Sequence, residues 1–114
     1  MTLKLSIITR KKTIRTIPPV HPGTILREEF LQPLGITQYR LAEDIRVPET
    51  SIAAILKGRR RITPDSALRL SRYFKMPDRF FGNLEAHYDI EIEKMKLGDA
   101  LEQEIEPRSD MGGP

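Results

Sequence analysis

Between Gln38 and Leu56 the chain reads QYRLAEDIRVPETSIAAIL, two short amphipathic segments separated by a three-residue break. Leu41, Ile45, Val47, Ile52 and Ile55 are apolar at spacings that seal two crossed helices together, and Ala42 is small where the second must approach closely. Thr37 is placed so that its side-chain oxygen caps the first of the pair, about Gln38 to Ile45. Pro48 opens the next, since its missing amide is harmless in a first turn. Gly58 closes it as a residue able to turn left-handed, so this helix covers about Pro48 to Lys57.

The flanking sequence supplies three more helices. One begins near Pro22 or Gly23, carries Ile25, Leu26 and Phe30 at helical spacing, and stops before Pro33 and Gly35. Thr63, Pro64 and Asp65 are the strongest start signal in the chain, followed by Ala67, Leu68, Leu70, Tyr73 and Phe74 as an apolar side. A fifth helix begins around Asp78 with Phe80, Phe81, Leu84 and Tyr88 toward the core. A weaker helical stretch continues through Ile92, Met95, Leu97 and Leu101, interrupted at Gly98. The expected fold is all-α: a compact five-helix domain over residues 20–105, between a basic N-terminal arm at 1–19 and a tail at 106–114, both read as flexible. Within the arm, Leu3, Leu5, Ile7 and Ile8 hint at a short strand.

Composition narrows the function classes. With 114 residues and 39% hydrophobic content the chain buries one modest core. It has no cysteine, and its two histidines, His21 and His87, lie far apart and read as surface or capping residues, so no metal or other cofactor is expected. Carboxylates are plentiful, yet no acid, base and nucleophile set is marked by a loop or spacing, which argues against an enzyme. No apolar run approaches the roughly 18 to 20 residues that span a bilayer, and no cleavable leader is evident, so a cytoplasmic location is expected.

Charge is unevenly distributed. Residues 1–20 hold five basic groups and no acid, residues 21–84 hold eleven basic against seven acidic, and residues 85–114 hold three basic against nine acidic; the segments carry +5, +4 and −6. An acidic end repels phosphate and should face away from DNA, unless it is simply a solvated surface.

Two crossed helices with a basic flank are the arrangement by which a helix-turn-helix puts its second helix into the major groove. Pro48 brings that helix in, and Glu49 and Thr50 stand at its start. Thr50 has a hydroxyl and a methyl to offer a base edge, and Glu49 can accept from a cytosine amine; alternatively, the acid answers the helix dipole and the threonine caps. Ala53 and Ala54 continue the face, either touching a thymine methyl or permitting close approach. Gln38, at the start of the preceding helix, is suited to hold a phosphate, with Tyr39 and Arg40 beside it. Lys57, Arg59, Arg60 and Arg61 cluster where the DNA backbone should pass, although a run of cations is often only solvated. Arg10, Lys11, Lys12 and Arg15 suit either a minor-groove arm or solvated disorder. One such helix reads few base pairs, so a homodimer on a palindromic double-stranded site is expected, with reading helices about 34 Å apart. Phe80, Phe81, Leu84, Tyr88 and Ile92 are interface candidates, although an apolar stripe at this spacing is more often core.

The stretch HPGTILREEFLQPLGITQYRLAEDIRVPETSIAAILKGRRRITPDSALRLSRYF resembles the HigA helix-turn-helix antitoxins, within the wider group that includes phage λ repressor and Cro. The likeness covers roughly Pro19 to Asp89. Its most specific elements are His21-Pro22-Gly23, the run Lys57-Gly58-Arg59-Arg60 and Ile62-Thr63-Pro64. It implies a λ repressor-like fold and a dimeric repressor that binds its own operator and neutralises a small basic ribonuclease toxin. The same family holds stand-alone regulators once labelled virulence-associated. Three positions depart from its pattern. Arg46 stands where the wider group usually has glycine, so a positive φ there costs on the order of 1 kcal/mol. Phe81 stands in place of tryptophan, and Glu85 in place of glutamine. A protein-interaction module, with the acidic end or the basic arm gripping a partner, is the competing reading.

Overall fold

Capping chemistry sets where the helices begin. The computed structural model describes residues 19–110, so the strand hinted at in the arm, the arm's five cations and residues 111–114 lie outside the described residues. Thr37 Oγ1 accepts from the Arg40 amide at 3.0 Å and starts α2 (Gln38–Ile45). Thr63 Oγ1 accepts from Ser66 at 3.2 Å and starts α4 (Pro64–Tyr73), with Pro64 and Asp65 in the favoured first-turn positions. Pro48 stands one residue outside α3 (Glu49–Leu56): its backbone is extended and its carbonyl takes the amides of Ser51 and Ile52. The first helix, α1 (22–34), opens on an unusual cap, His21, whose Nδ1 accepts from Gly23 at 2.9 Å.

A shared device ends them. Ile36, Val47, Arg59 and Met76 each donate a backbone hydrogen bond of 2.8 to 3.1 Å to a carbonyl five residues earlier, closing α1, α2, α3 and α4 in turn. This closure needs a left-handed residue, supplied by Gly35, Arg46, Gly58 and Lys75 with φ between 57° and 75°. The positive φ expected at Arg46 is present; Lys75 adds a second non-glycine case.

α1 runs through Pro33 instead of stopping before it. Residues Leu26–Leu31 form a π-helical turn, and Gln32 donates to Arg27, five residues back. The hydrogen-bond ladder is therefore already widened where Pro33 withholds its amide and where its ring would crowd a regular helix.

The core gathers Leu26, Leu31, Leu41, Ala42, Ile45, Ile52, Ile55, Leu56, Ile62, Ala67, Leu70 and Phe81. Phe30 centres an aromatic group with Phe74, Phe80 and Phe81 at 4.9, 5.9 and 5.2 Å between ring centres. Leu68, expected on the apolar side of α4, is 55% exposed. The helix expected near Asp78 is α5 (Phe80–Leu97), which carries on without a break through the stretch read as weak. Gly98, with φ of 55°, ends it, and a sixth helix, α6 (Ala100–Glu104), follows. Ile90, Met95, Leu101 and Ile105 are exposed along this end. Residues 105–110 stand outside any helix, and no strand occurs among the described residues.

Candidate nucleic-acid interface

The second helix of the crossed pair is held from two directions. Across the tight turn, Ile52, Ile55 and Leu56 are buried while Leu41, Ala42 and Ile45 of α2 meet them. From α1, Gly23 lies against the Ile55 carbonyl: a β-carbon at Gly23 would fall 1.9 Å from that oxygen. Arg27 Nη1 also donates to the Leu56 carbonyl at 3.0 Å, satisfying one of the groups left open at the end of α3. The matching bond on α2 comes from α4, where Arg69 Nη1 donates to the Ile45 carbonyl at 2.9 Å. These anchors leave the other side of α3 open. At 100° per residue, Thr50, Ala53, Ala54 and Lys57 lie opposite the buried trio. Glu49, Thr50 and Lys57 are exposed, and Ala53 and Ala54 are half-buried.

Gln38 and Glu49, the first residues of α2 and α3, meet at 3.3 Å through Nε2 and Oε2. Tyr39 donates its hydroxyl to Glu43 at 3.1 Å, and Arg40 Nε donates to Asp44 at 3.1 Å. Asp44 also accepts from the Tyr73 hydroxyl at 2.6 Å; that bond, then Arg40, holds its carboxyl below the usual carboxylate range. The bonds of Tyr39 and Arg40 are exposed pairs within one helix, the kind that solvent screens and a phosphate readily replaces.

Of the four cations after α3, Lys57 and Arg59 are exposed and their side chains have no hydrogen-bond or ion-pair partner among the described residues. Arg60 turns back toward α3, where its Nη1 donates to Ser51 Oγ at 2.8 Å. Arg61 points elsewhere. Its guanidinium pairs with Asp89 and lies 3.9 Å from Glu85 Oε2, both on α5. Thus Gln38, Tyr39, Arg40, Pro48, Glu49, Thr50, Ala53, Lys57, Arg59 and Arg60 are gathered around the two helix starts and the loop after α3, while Arg61 faces α5.

Glu85 was visible in the sequence only as a departure from a family pattern. It is a buried carboxyl, 3% exposed, whose Oε1 accepts from the Ile62 amide at 2.8 Å. Burial pushes its pKa up; the Ile62 amide opposes this, and a hydrogen bond to Asp89 reinforces it. Asp89 also loses solvation, yet the Arg61 guanidinium and the Glu85 hydrogen bond outweigh that loss and hold its carboxyl low. Next to this group the His21 ring packs edge-on against Tyr88 with centres 4.9 Å apart. Burial lowers the pKa of His21, against the opposing pull of Asp89. Among the described residues no group of three or more His, Cys, Asp or Glu is arranged to hold a metal ion, and no helix is long and apolar enough to cross a membrane.

Known proteins share this arrangement. A helix-turn-helix family model matches residues 26–81. Virulence-associated protein I of Dichelobacter nodosus is 41% identical over 76 residues, which span 67% of this chain and 70% of that protein. The structure of the antitoxin HigA of Pseudomonas aeruginosa with the higBA promoter is 38% identical, with a TM-score of 0.74 over 78% of this chain and 97% of that one. An addiction module antidote protein of a HigA family from Coxiella burnetii is also 38% identical, with a TM-score of 0.75 over 81% of this chain and 100% of that one.

Proposed function

The chain belongs to the HigA branch of the helix-turn-helix family, and from that membership we propose that it is a sequence-specific DNA-binding repressor: an antitoxin that binds its own palindromic operator as a homodimer and neutralises a small basic ribonuclease toxin. The observation that carries this reading is the two-sidedness of α3, anchored by Ile52, Ile55 and Leu56 and open at Glu49, Thr50 and Ala53, with cations directly after it.

The geometry supports a simple docking. α3 enters the major groove start first, bringing Pro48, Glu49, Thr50 and Ala53 to the base edges. α2 crosses the DNA backbone, and its open amides with Gln38, Tyr39 and Arg40 hold a phosphate. The pairs Tyr39 to Glu43 and Arg40 to Asp44 give up their acids as that phosphate arrives. Lys57, Arg59 and Arg60 take phosphates on the far flank. The reading assigns the protein to the cytoplasm and gives it no catalytic step.

Fluorescence anisotropy with a labelled duplex from upstream of the gene tests this. Wild type binds the palindrome far more tightly than a scrambled duplex, and affinity falls steeply with salt. The pair Arg59→Ala and Arg60→Ala weakens all duplexes alike, whereas Thr50→Ala changes base preference by about 1–3 kcal/mol at one position of each half-site. Equal binding to both duplexes, or indifference to these changes, removes the reading. A regulator without a toxin is the second reading, because the resembled family also holds stand-alone regulators once labelled virulence-associated. Co-purification of the neighbouring gene's product separates the two.

A further inference from the structure

The loop between α3 and α4 is tied to α5 at two adjacent residues. The Ile62 amide donates to Glu85 Oε1, and the guanidinium of the preceding residue, Arg61, pairs with Asp89 one helical turn further along α5. Ile62 is itself in the core, at 2% exposure, so its amide has no water to turn to if Glu85 lets go. Arg61 keeps 62% of its side chain exposed, but its charge is already shared between two carboxylates. A phosphate would have to displace Asp89, whose negative charge repels it. Lys57 and Arg59, four and two residues away, carry no such commitment.

From this, and resting on the DNA-binding reading above, we infer that Arg61 is not a phosphate ligand but the loop half of a clasp with Glu85 and Asp89, which fixes residues 57–62 and thereby aims Arg59 and Arg60 at the DNA backbone. Glu85 and Asp89 are positioning residues for DNA binding, on a helix that reaches no DNA in this docking. The clasp also joins α5 to the cation loop, so a partner that shifts α5 changes operator affinity without touching α3.

Salt dependence distinguishes a clasp from a contact, because each phosphate ligand contributes nearly one unit to the slope of log affinity against log salt. Operator binding is measured between low and moderate salt for wild type, R59A, R61A, D89N and the double variant R61A/D89N. The clasp predicts that R59A, which removes one phosphate ligand from each protomer of the dimer, lowers the slope by about 1.8. R61A and D89N each weaken binding roughly five- to tenfold at unchanged slope, and the double variant is no weaker than either single one. A slope lowered by about 1.8 in R61A, together with tighter binding by D89N as the cation is released, overturns it.

Amide hydrogen exchange on the free protein probes the clasp without DNA, so the clasp can stand or fall even if the operator assignment fails. R61A and D89N speed exchange at residues 59–62 and leave α2 unchanged, and Glu85→Gln, which keeps the acceptor for Ile62, preserves that amide's protection. Unaltered exchange at 59–62 in both R61A and D89N overturns the proposal.

Discussion

Gly23 and Ile55 stand backbone to backbone: the start of α1 rests on the carbonyl near the end of α3, with no room between them for a methyl group. The position of the reading helix thus depends on a residue outside the helix-turn-helix itself. Gly23→Ala has to push α1 off α3, because the obstructing atom is main chain and cannot rotate away. Overpacking of this kind costs about 1–3 kcal/mol or more, and thermal unfolding should drop by roughly 10 °C, with a parallel loss of DNA binding. Unchanged melting would mean that α1 is not seated as described.

Arg46 and Lys75 carry left-handed backbone that glycine adopts without strain. Arg46→Gly removes a steric cost of about 1–2 kcal/mol and adds an unfolded-state entropy cost of about 0.5–1 kcal/mol. Urea unfolding should show a small net gain, up to about 1 kcal/mol, whereas Arg46→Ala, which keeps a β-carbon, should show none. A clear loss in the glycine variant counts against the left-handed turn.

His21 caps α1 through an unprotonated Nδ1, and burial lowers its pKa below the ordinary value of 6.5. The folded state therefore binds the proton less readily than the unfolded chain. Stability is fully present above pH 6.5 and declines as pH falls through the folded-state value. Denaturant midpoints between pH 8 and 5 should show this decline, and His21→Asn, which keeps an acceptor that does not titrate, should flatten it. An equal decline in the asparagine variant would assign the effect to other groups.

Glu85 titrates with the opposite sense. Burial raises its folded-state pKa, so the folded protein holds the proton longer and stability falls as pH rises from about 4.5 through the raised value. Glu85→Gln keeps an oxygen for the Ile62 amide and removes the buried charge. It should melt higher than wild type at neutral pH and match it at the acid end. A lower melting point at neutral pH would show that the ion pair with Arg61 outweighs desolvation.

Much of this was legible in the sequence, and the physical reason is locality. Thr37, Thr63 and Pro64 act on amides within three residues, so the starts of α2 and α4 are written where they occur. The buried residues of the crossed pair follow a helical period, and Arg46 stood out at a position that asks for glycine. The through-space parts carried no such signal. Arg27 reaches Leu56 across 29 positions, Arg69 reaches Ile45 across 24, and Arg61 reaches Asp89 across 28. A basic run gives no hint that one of its members faces inward to another helix. Pro33 misled in the opposite direction, because the sequence rule for proline assumes a regular helix and α1 had already widened into a π turn.

Docking by the open side of α3 underlies every DNA contact assigned above, and an NMR titration of the labelled protein with the operator duplex reads it residue by residue. The largest amide shifts are expected at Gln38 to Arg40, at Glu49 to Ala54 and through Lys57 to Arg60, while the far half of α5 and α6 stay still at saturating, salt-matched duplex. Shifts concentrated on α5 and α6, with residues 49–54 unmoved, would refute docking by α3.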